Sequence, residues 1–148
     1  MSQHEARLLW ERESEDFSYQ GYTRNHSWTF PSGTQVQASA APTYLGDESR
    51  VDPEEAFVAA IASCHMLTFL AIAARKRVVV DSYADRAVGV LAKNSSGKLA
   101  ITNVTLNPRI VFAGGSSPDE DALRRMHDLA HHECFIANSV LTEVTVAY

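Results

Sequence analysis

The chain is poor in the residues that staple, bend or basify a protein. Two cysteines, Cys64 and Cys134, stand seventy positions apart in 148 residues. That is too few, too widely spaced, for the disulfide framework of a small secreted domain. Five prolines and seven glycines exclude collagen-like and low-complexity classes. Cations are the scarcer charge: 13 Lys and Arg against 18 Asp and Glu leave a net charge of −5. Such a surface repels phosphate backbones and anionic headgroups, so neither nucleic acid nor membrane is an expected partner. The first residues show no basic region followed by an apolar run, so a cytoplasmic protein is expected and a secreted one is not. In that compartment two thiols point to chemistry more than to a structural bridge.

Long apolar runs are absent too, with one exception. Residues 56–74 hold nineteen consecutive positions without Asp, Glu, Lys or Arg, close to the ~20 that cross hydrocarbon. Ser63, His65 and Thr68 interrupt the run, seven of its residues are Ala, and its flanks read as amphipathic β structure. The expectation is a buried helix, not a membrane span. Asp52 can cap it, Pro53 suits its first turn, and Glu54 and Glu55 suit its positive end. The Asp52-x-x-Glu55 spacing resembles a capping box, and Arg75-Lys76-Arg77 suit the negative end. Apolar nearly all round, this helix belongs in the middle of the protein or of a subunit interface.

The rest is patterned for β structure and one further helix. Residues 4–13 alternate as a half-buried strand, and Phe17, Tyr19 and Tyr22 continue a β-like stretch to Arg24. Residues 28–38 read as a hairpin turning at Gly33, and 39–51 as a loop. Residues 78–93 and 98–112 predict two long strands joined by the polar turn Asn94–Gly97, with a loop at 113–117. Ser117, Pro118 and Glu120 give start signals for the second helix, with Leu123, Met126, Leu129 and Ala130 as its apolar stripe and Arg124, Arg125 and Asp128 facing water. Leu141–Tyr148 alternates as a final strand. The pattern is a single α+β domain over 1–148, without internal repeats.

Chemistry-bearing residues are few. A lone cysteine in a buried helix usually behaves as a small hydrophobe. His127 and His131 share a helix face, with His132 adjacent and Cys134 close behind. With Cys64 or His65 they offer zinc ligands, yet they lack the tight repeated spacing of a metal site, so no metal is expected. His26 and His65 either line a pocket or pack in the core. Gly114-Gly115 lacks the spacing of a phosphate loop. Trp10, Phe17, Tyr19, Tyr22, Trp28 and Phe30 are expected in core and interfaces, some of them forming an apolar wall.

The stretch Asp52-Pro-Glu-Glu-Ala-Phe-Val-Ala-Ala-Ile-Ala-Ser-Cys64-His-Met, followed downstream by Ala-His-His-Glu-Cys134 and Asn138-Ser139 before a terminal strand, resembles the OsmC/Ohr family of osmotically induced and organic hydroperoxide resistance proteins. The resemblance runs from about residue 20 to residue 148. It implies an OsmC-like fold, with antiparallel and mixed sheets packed around two helices, in an intertwined homodimer. It also implies a thiol-dependent peroxidase that reduces organic hydroperoxides without a bound cofactor. On this resemblance Cys64 is the peroxidatic thiol and Cys134 the resolving thiol, the two joining in an intramolecular disulfide. Glu54 is the carboxylate that orients an arginine, and Arg24 is that arginine, with Arg12 and Arg50 as alternatives. An external dithiol, such as a lipoyl group, would restore both thiols. Two details differ from the hydroperoxide-resistance branch. Cys64 precedes His65-Met66 instead of an aromatic residue, and Cys134 precedes Phe135-Ile136 instead of a proline. Both point to the broader OsmC-like branch and leave the substrate open. A dimer that binds a small apolar ligand, or senses redox state without turnover, is the alternative. Ten helical residues separate Glu54 from Cys64 by ~15 Å. Either the helix breaks between them, or one site draws them from different subunits.

Overall fold

The computed structural model describes residues 1–115 and 117–148; of the loop expected at 113–117, Ser116 lies outside the described residues. The chain parts into two compact units, 1–56 and 57–148.

In the first unit, β1 (Arg7–Leu9), β2 (His26–Thr29) and β3 (Gln35–Ala38) form an antiparallel sheet in that order. The β2–β3 hairpin turns at Gly33, whose φ of 84° favours glycine. It sets Trp28 opposite Val36. β1 is shorter than the alternation over 4–13 implies, and it is exposed, Leu8 at 67% and Leu9 at 59%. Alternation reports an amphipathic strand; it does not supply the layer that would cover it. The β-like stretch expected through Phe17 and Tyr22 is a set of turns instead. Asp16 accepts a hydrogen bond from the Ser18 amide at 2.8 Å, and the Gly21 amide returns to the Ser18 carbonyl at 3.1 Å. Such side-chain-to-backbone bonds compete with a strand ladder. In the loop over 39–51, Pro42–Tyr44 forms a short 3-10 turn, and Val51 bridges to Ala38 in parallel.

Helix α1 (Pro53–Arg75) starts at the end of this unit. Its cap is reciprocal. The Glu55 amide donates to the Asp52 carboxylate at 2.7 Å, and the Asp52 amide donates to the Glu55 carboxylate at 3.1 Å. The helix stops where Arg77 turns left-handed, at φ 59°.

The second unit continues with β4 (Val80–Asp85), β5 (Val88–Lys93), β6 (Leu99–Leu106), β7 (Pro108–Phe112), α2 (Glu120–Glu133) and β8 (Glu143–Val146). The two long strands expected over 78–112 are each interrupted once, at residues 86–87 and at Asn107. The paired arms therefore split into two sheets: β4 with β7, and β5-β6-β8 with β8 parallel to β6. The break has a local cause. The Asn107 amide donates to the Asp85 carboxylate at 2.7 Å, and the Asn107 side chain donates to the Arg86 carbonyl at 2.9 Å.

Two clusters make the core. Phe69, Ile72 and Ala73 of α1 pack with Met126 and Ala130 of α2 against Val80, Tyr83, Ile110 and Phe112 of the β4–β7 pair. Ile61 packs with Val104 and Leu106 of β6 and with Val144 and Val146 of β8. Fully burying a side chain such as Phe69 contributes roughly 2–3 kcal/mol. A Cβ on Gly89 would fall 2.5 Å from Val58 Cγ2, so a larger residue there would force the Val58 side chain of α1 to shift. Only one stripe of α1 is buried (Ile61, His65, Phe69, Ile72 and Ala73). Ala60, Ser63, Leu67, Ala71 and Ala74 form an exposed stripe at helical spacing, with Leu67 at 61%.

Helix α2 is capped by Asp119, which accepts from the Ala122 amide at 2.7 Å, and not by Ser117. Its buried face is Met126, His127 and Ala130. Leu129, expected in the stripe, is 42% exposed. The true stripe runs through Leu123, Met126, His127, Ala130 and Cys134, rotated toward His127 by that residue's partner on α1.

Candidate functional site

Within the second unit the two thiols meet. Cys64, half-buried on α1, and Cys134, fully buried at the C-terminal cap of α2, are both free, and Cys64 stands near enough to act on the Cys134 thiol. Burial pushes the Cys134 thiol up, its Cys64 neighbour pushes it further, and the Ala137 and Ile136 amides oppose the rise. The Ala137 amide reaches Cys134 Sγ at 3.4 Å, because the chain after α2 winds into a 3-10 turn over Ala137–Ser139. Asn138 and Ser139 tie that turn back: the Asn138 side chain donates to the His132 carbonyl at 2.9 Å, and the Ser139 hydroxyl to the Phe135 carbonyl at 2.7 Å. The polar pair that follows Cys134 in the sequence thus fixes the sulfur that precedes it.

One residue on from Cys64, His65 pairs with His127. Nε2 of His65 lies 3.0 Å from Nδ1 of His127, the rings 7° from parallel and both residues 1% exposed. Phe69 stacks on His127 with centroids 4.5 Å apart, and Tyr148 meets it edge-on at 5.7 Å. Burial pushes both imidazoles down to about 4, His65 being further depressed by His127 and His131, His127 being raised slightly by Asp128. Both are neutral at physiological pH. One donates and the other accepts, and His65 Nδ1 is buried without a partner. His131 and His132 are exposed. Among the described residues no group of three or more His, Cys, Asp or Glu is placed to hold a metal ion.

Within the first unit, Arg24 lines a cavity of about 330 Å³ together with Trp10, Phe17, Tyr22, His26 and Pro53. The Trp10, Phe17 and Tyr22 rings pack with centroids 5.2–6.2 Å apart. The Arg24 guanidinium donates to the Tyr19 and Tyr22 carbonyls and lies 3.7 Å from the Tyr22 ring centroid. Carbonyls and aromatic faces hold the fork against one wall of the cup. His26 donates through Nδ1 to the Arg24 carbonyl at 2.8 Å and accepts from the Trp28 indole at 3.0 Å. Those two bonds fix a neutral tautomer. Arg50 is engaged by Gln37 at 2.8 Å and Asp47 at 3.6 Å. Glu54 is half-buried in the first turn of α1. Among the described residues no ion pair joins it to Arg24, Arg12 or Arg50. The helix does not break between Glu54 and Cys64: α1 is continuous.

The four-residue spacing groups His127 with His131 and so hides its pairing with His65, 62 residues away. The i, i+3, i+4, i+7 stripe Leu123, Met126, His127 and Ala130 marks His127 as buried, though not its partner.

An α+β fold that joins two free cysteines through its two helices defines a class, and the comparisons give it a name. The family model described as OsmC-like protein matches residues 46–148, and the chain belongs to that family. It is similar to an OsmC-like protein of unknown function from Vibrio cholerae, with 53% identity, 99% of each chain covered and a TM-score of 0.95. It shares its fold with an organic hydroperoxide resistance protein OsmC from Legionella pneumophila, at 15% identity, 100% and 98% coverage and a TM-score of 0.72. An organic hydroperoxide resistance protein from Elizabethkingia anophelis has the same fold, at 14% identity, 99% and 96% coverage and a TM-score of 0.72. No curated protein matches the sequence.

Proposed function

We propose that the chain is a cytoplasmic cysteine peroxidase that reduces organic hydroperoxides, working as a homodimer. The observation that carries this reading is the pair of free, neighbouring thiols, Cys64 and Cys134. The two are unequal, and the inequality supports a division of roles between them. Cys134 is sealed from solvent and its thiol is pushed up, so it stays protonated and cannot meet a bulky peroxide. Cys64 is the more accessible of the two.

The chemistry balances with two protein sulfurs and one external dithiol. The Cys64 thiolate attacks the outer oxygen of the hydroperoxide; the O–O bond breaks, the alcohol leaves with a proton, and Cys64 becomes a sulfenic acid. Cys134 then attacks that sulfur, an S–S bond forms and water leaves. A dithiol such as a lipoyl group, acting by exchange, takes up the oxidation as its own disulfide and returns both cysteines to thiols. In this reading Arg24 stabilises the thiolate and the charge developing on the peroxide oxygen, and in the assembled site Glu54 takes over the orienting of its fork from the Tyr19 and Tyr22 carbonyls. The aromatic cup around Arg24 supports an organic substrate over hydrogen peroxide, since Trp10, Phe17 and Tyr22 offer apolar surface that only an organic group rewards.

The dimer is supported by α1. Its exposed stripe, Ala60, Ser63, Leu67, Ala71 and Ala74, is small and apolar where a monomer's solvent face would be charged. The exposed apolar residues of β1 point the same way. In such a dimer the Glu54 and Cys64 of one site come from different subunits.

The test is dithiol-dependent consumption of cumene hydroperoxide. Turnover in the unaltered protein that vanishes in Cys64→Ser is expected. Absence of turnover, with no 64–134 linkage after stoichiometric peroxide, would favour a dimer that holds an apolar ligand in the aromatic cup.

A further inference from the structure

We infer, on the peroxidase reading's assignment of Cys134 as the attacking thiol, that Asn138 is a positioning residue for the resolving step. It holds the turn after α2 so that backbone amides meet the Cys134 sulfur as that sulfur attacks Cys64.

The attacking sulfur is the one least suited to lose its proton. Cys134 is fully buried, and burial and Cys64 both push its thiol up. Attack nevertheless needs a thiolate, or one forming as the new bond forms. Cys64 on α1 is the titratable group that acts on it, while His131, His132 and Glu133 in the last turn of α2 are exposed. The Ala137 and Ile136 amides oppose the rise, supplying what a neighbouring cation supplies in other thiol sites.

The turn aims those amides. The Ala137 amide reaches Cys134 Sγ at 3.4 Å, and the Asn138 and Ser139 amides close on the Cys134 and Ile136 carbonyls at 3.0 Å each. Ile136 anchors the turn by packing against the Ile61 cluster. Asn138 anchors it to α2, its side chain donating to the His132 carbonyl at 2.9 Å. That carbonyl lies in the last turn of the helix, among those left without an intrahelical donor. Asn138 is itself exposed, so this bond, not packing, is what it contributes.

Stopped-flow with a small aromatic disulfide, dithiodipyridine, isolates the step in the full chain without peroxide. The Cys64 thiolate attacks the reagent and one thiopyridone leaves. Cys134 then attacks the mixed disulfide, the 64–134 S–S bond forms, and a second thiopyridone leaves with the Cys134 proton. Two absorbance phases are expected, and with Cys64 already bonded the pH profile of the second reads Cys134. Asn138→Ala should slow that phase about threefold at neutral pH and move its profile roughly half a pH unit alkaline, as loss of one neutral hydrogen bond allows. The two profiles should converge at high pH, where the thiolate forms unaided; a merely structural loss would slow the step at every pH. The first phase should be unchanged, and Asn138→Gln, which keeps the donor, should restore the second. An unshifted second phase in Asn138→Ala, equal slowing of both phases, or a single thiopyridone from the unaltered protein would overturn the role of Asn138. Two thiopyridones from a protein that leaves cumene hydroperoxide intact, with the second phase shifted in Asn138→Ala, would uphold that role and remove the peroxidase reading alone.

Discussion

Lowering the pH from 6.5 to 5 should weaken the folded chain through two side chains, His65 and His127. In the unfolded chain each imidazole takes a proton near its ordinary value of about 6.5. In the folded chain burial holds both down to about 4. The unfolded state therefore binds protons first as the pH falls. Stability is unaffected by the pair above about pH 6.5 and declines between there and about 4. At 1.36 kcal/mol per pH unit per group, each histidine removes up to roughly 2 kcal/mol between pH 6.5 and 5, so the pair removes roughly 3–4 kcal/mol. Carboxylates contribute mainly below that window. The assay is urea unfolding followed by circular dichroism at one fixed protein concentration, because an oligomer's stability depends on concentration. The double variant His65→Gln/His127→Gln keeps a hydrogen bond and removes the titration, so its stability should be nearly flat across the window. A flat profile in the unaltered protein, or an equal slope in the double variant, would refute the reasoning.

Cys134→Ser should consume about one equivalent of peroxide and then stall as sulfenic or over-oxidised Cys64; mass spectrometry reads the added oxygen, and sustained dithiol-driven turnover would remove Cys134 from the cycle. Arg24→Lys keeps the charge but loses the fork, so peroxidase kcat/KM should fall on the order of a hundredfold; an unchanged rate in stopped-flow would show that another arginine acts. Asp52→Ala removes the carboxylate that caps α1 and should cost about 1 kcal/mol in chemical denaturation.

Helix positions were legible because their signals are local. Asp52, Pro53 and Glu55 sit within one turn, and the cap they form depends on nothing distant. The meeting of Cys64 with Cys134 was expected from the family resemblance, since no local pattern relates residues seventy apart. Elsewhere, local readings failed where a side chain overrides periodicity. Asp16 turned the aromatic stretch at 17–22 into turns, and Asp85 with Asn107 cut two long strands into four. His127 took a core position because His65 satisfies it across 62 residues, a partnership that no spacing along α2 announces. The aromatic cup was half-legible: its rings were expected to form an apolar wall, but the fixing of Arg24 by the Tyr19 and Tyr22 carbonyls depends on the turn that the alternation concealed.

The central claim is that Cys64 and Cys134 exchange a peroxide oxygen for a bond to each other. Non-reducing peptide mass spectrometry after one equivalent of cumene hydroperoxide tests it directly. The account predicts a peptide pair joined through Cys64 and Cys134, two hydrogens lighter than the sum of its parts and returned to free thiols by a dithiol. Both cysteines recovered as unmodified thiols, with the peroxide intact, would contradict it.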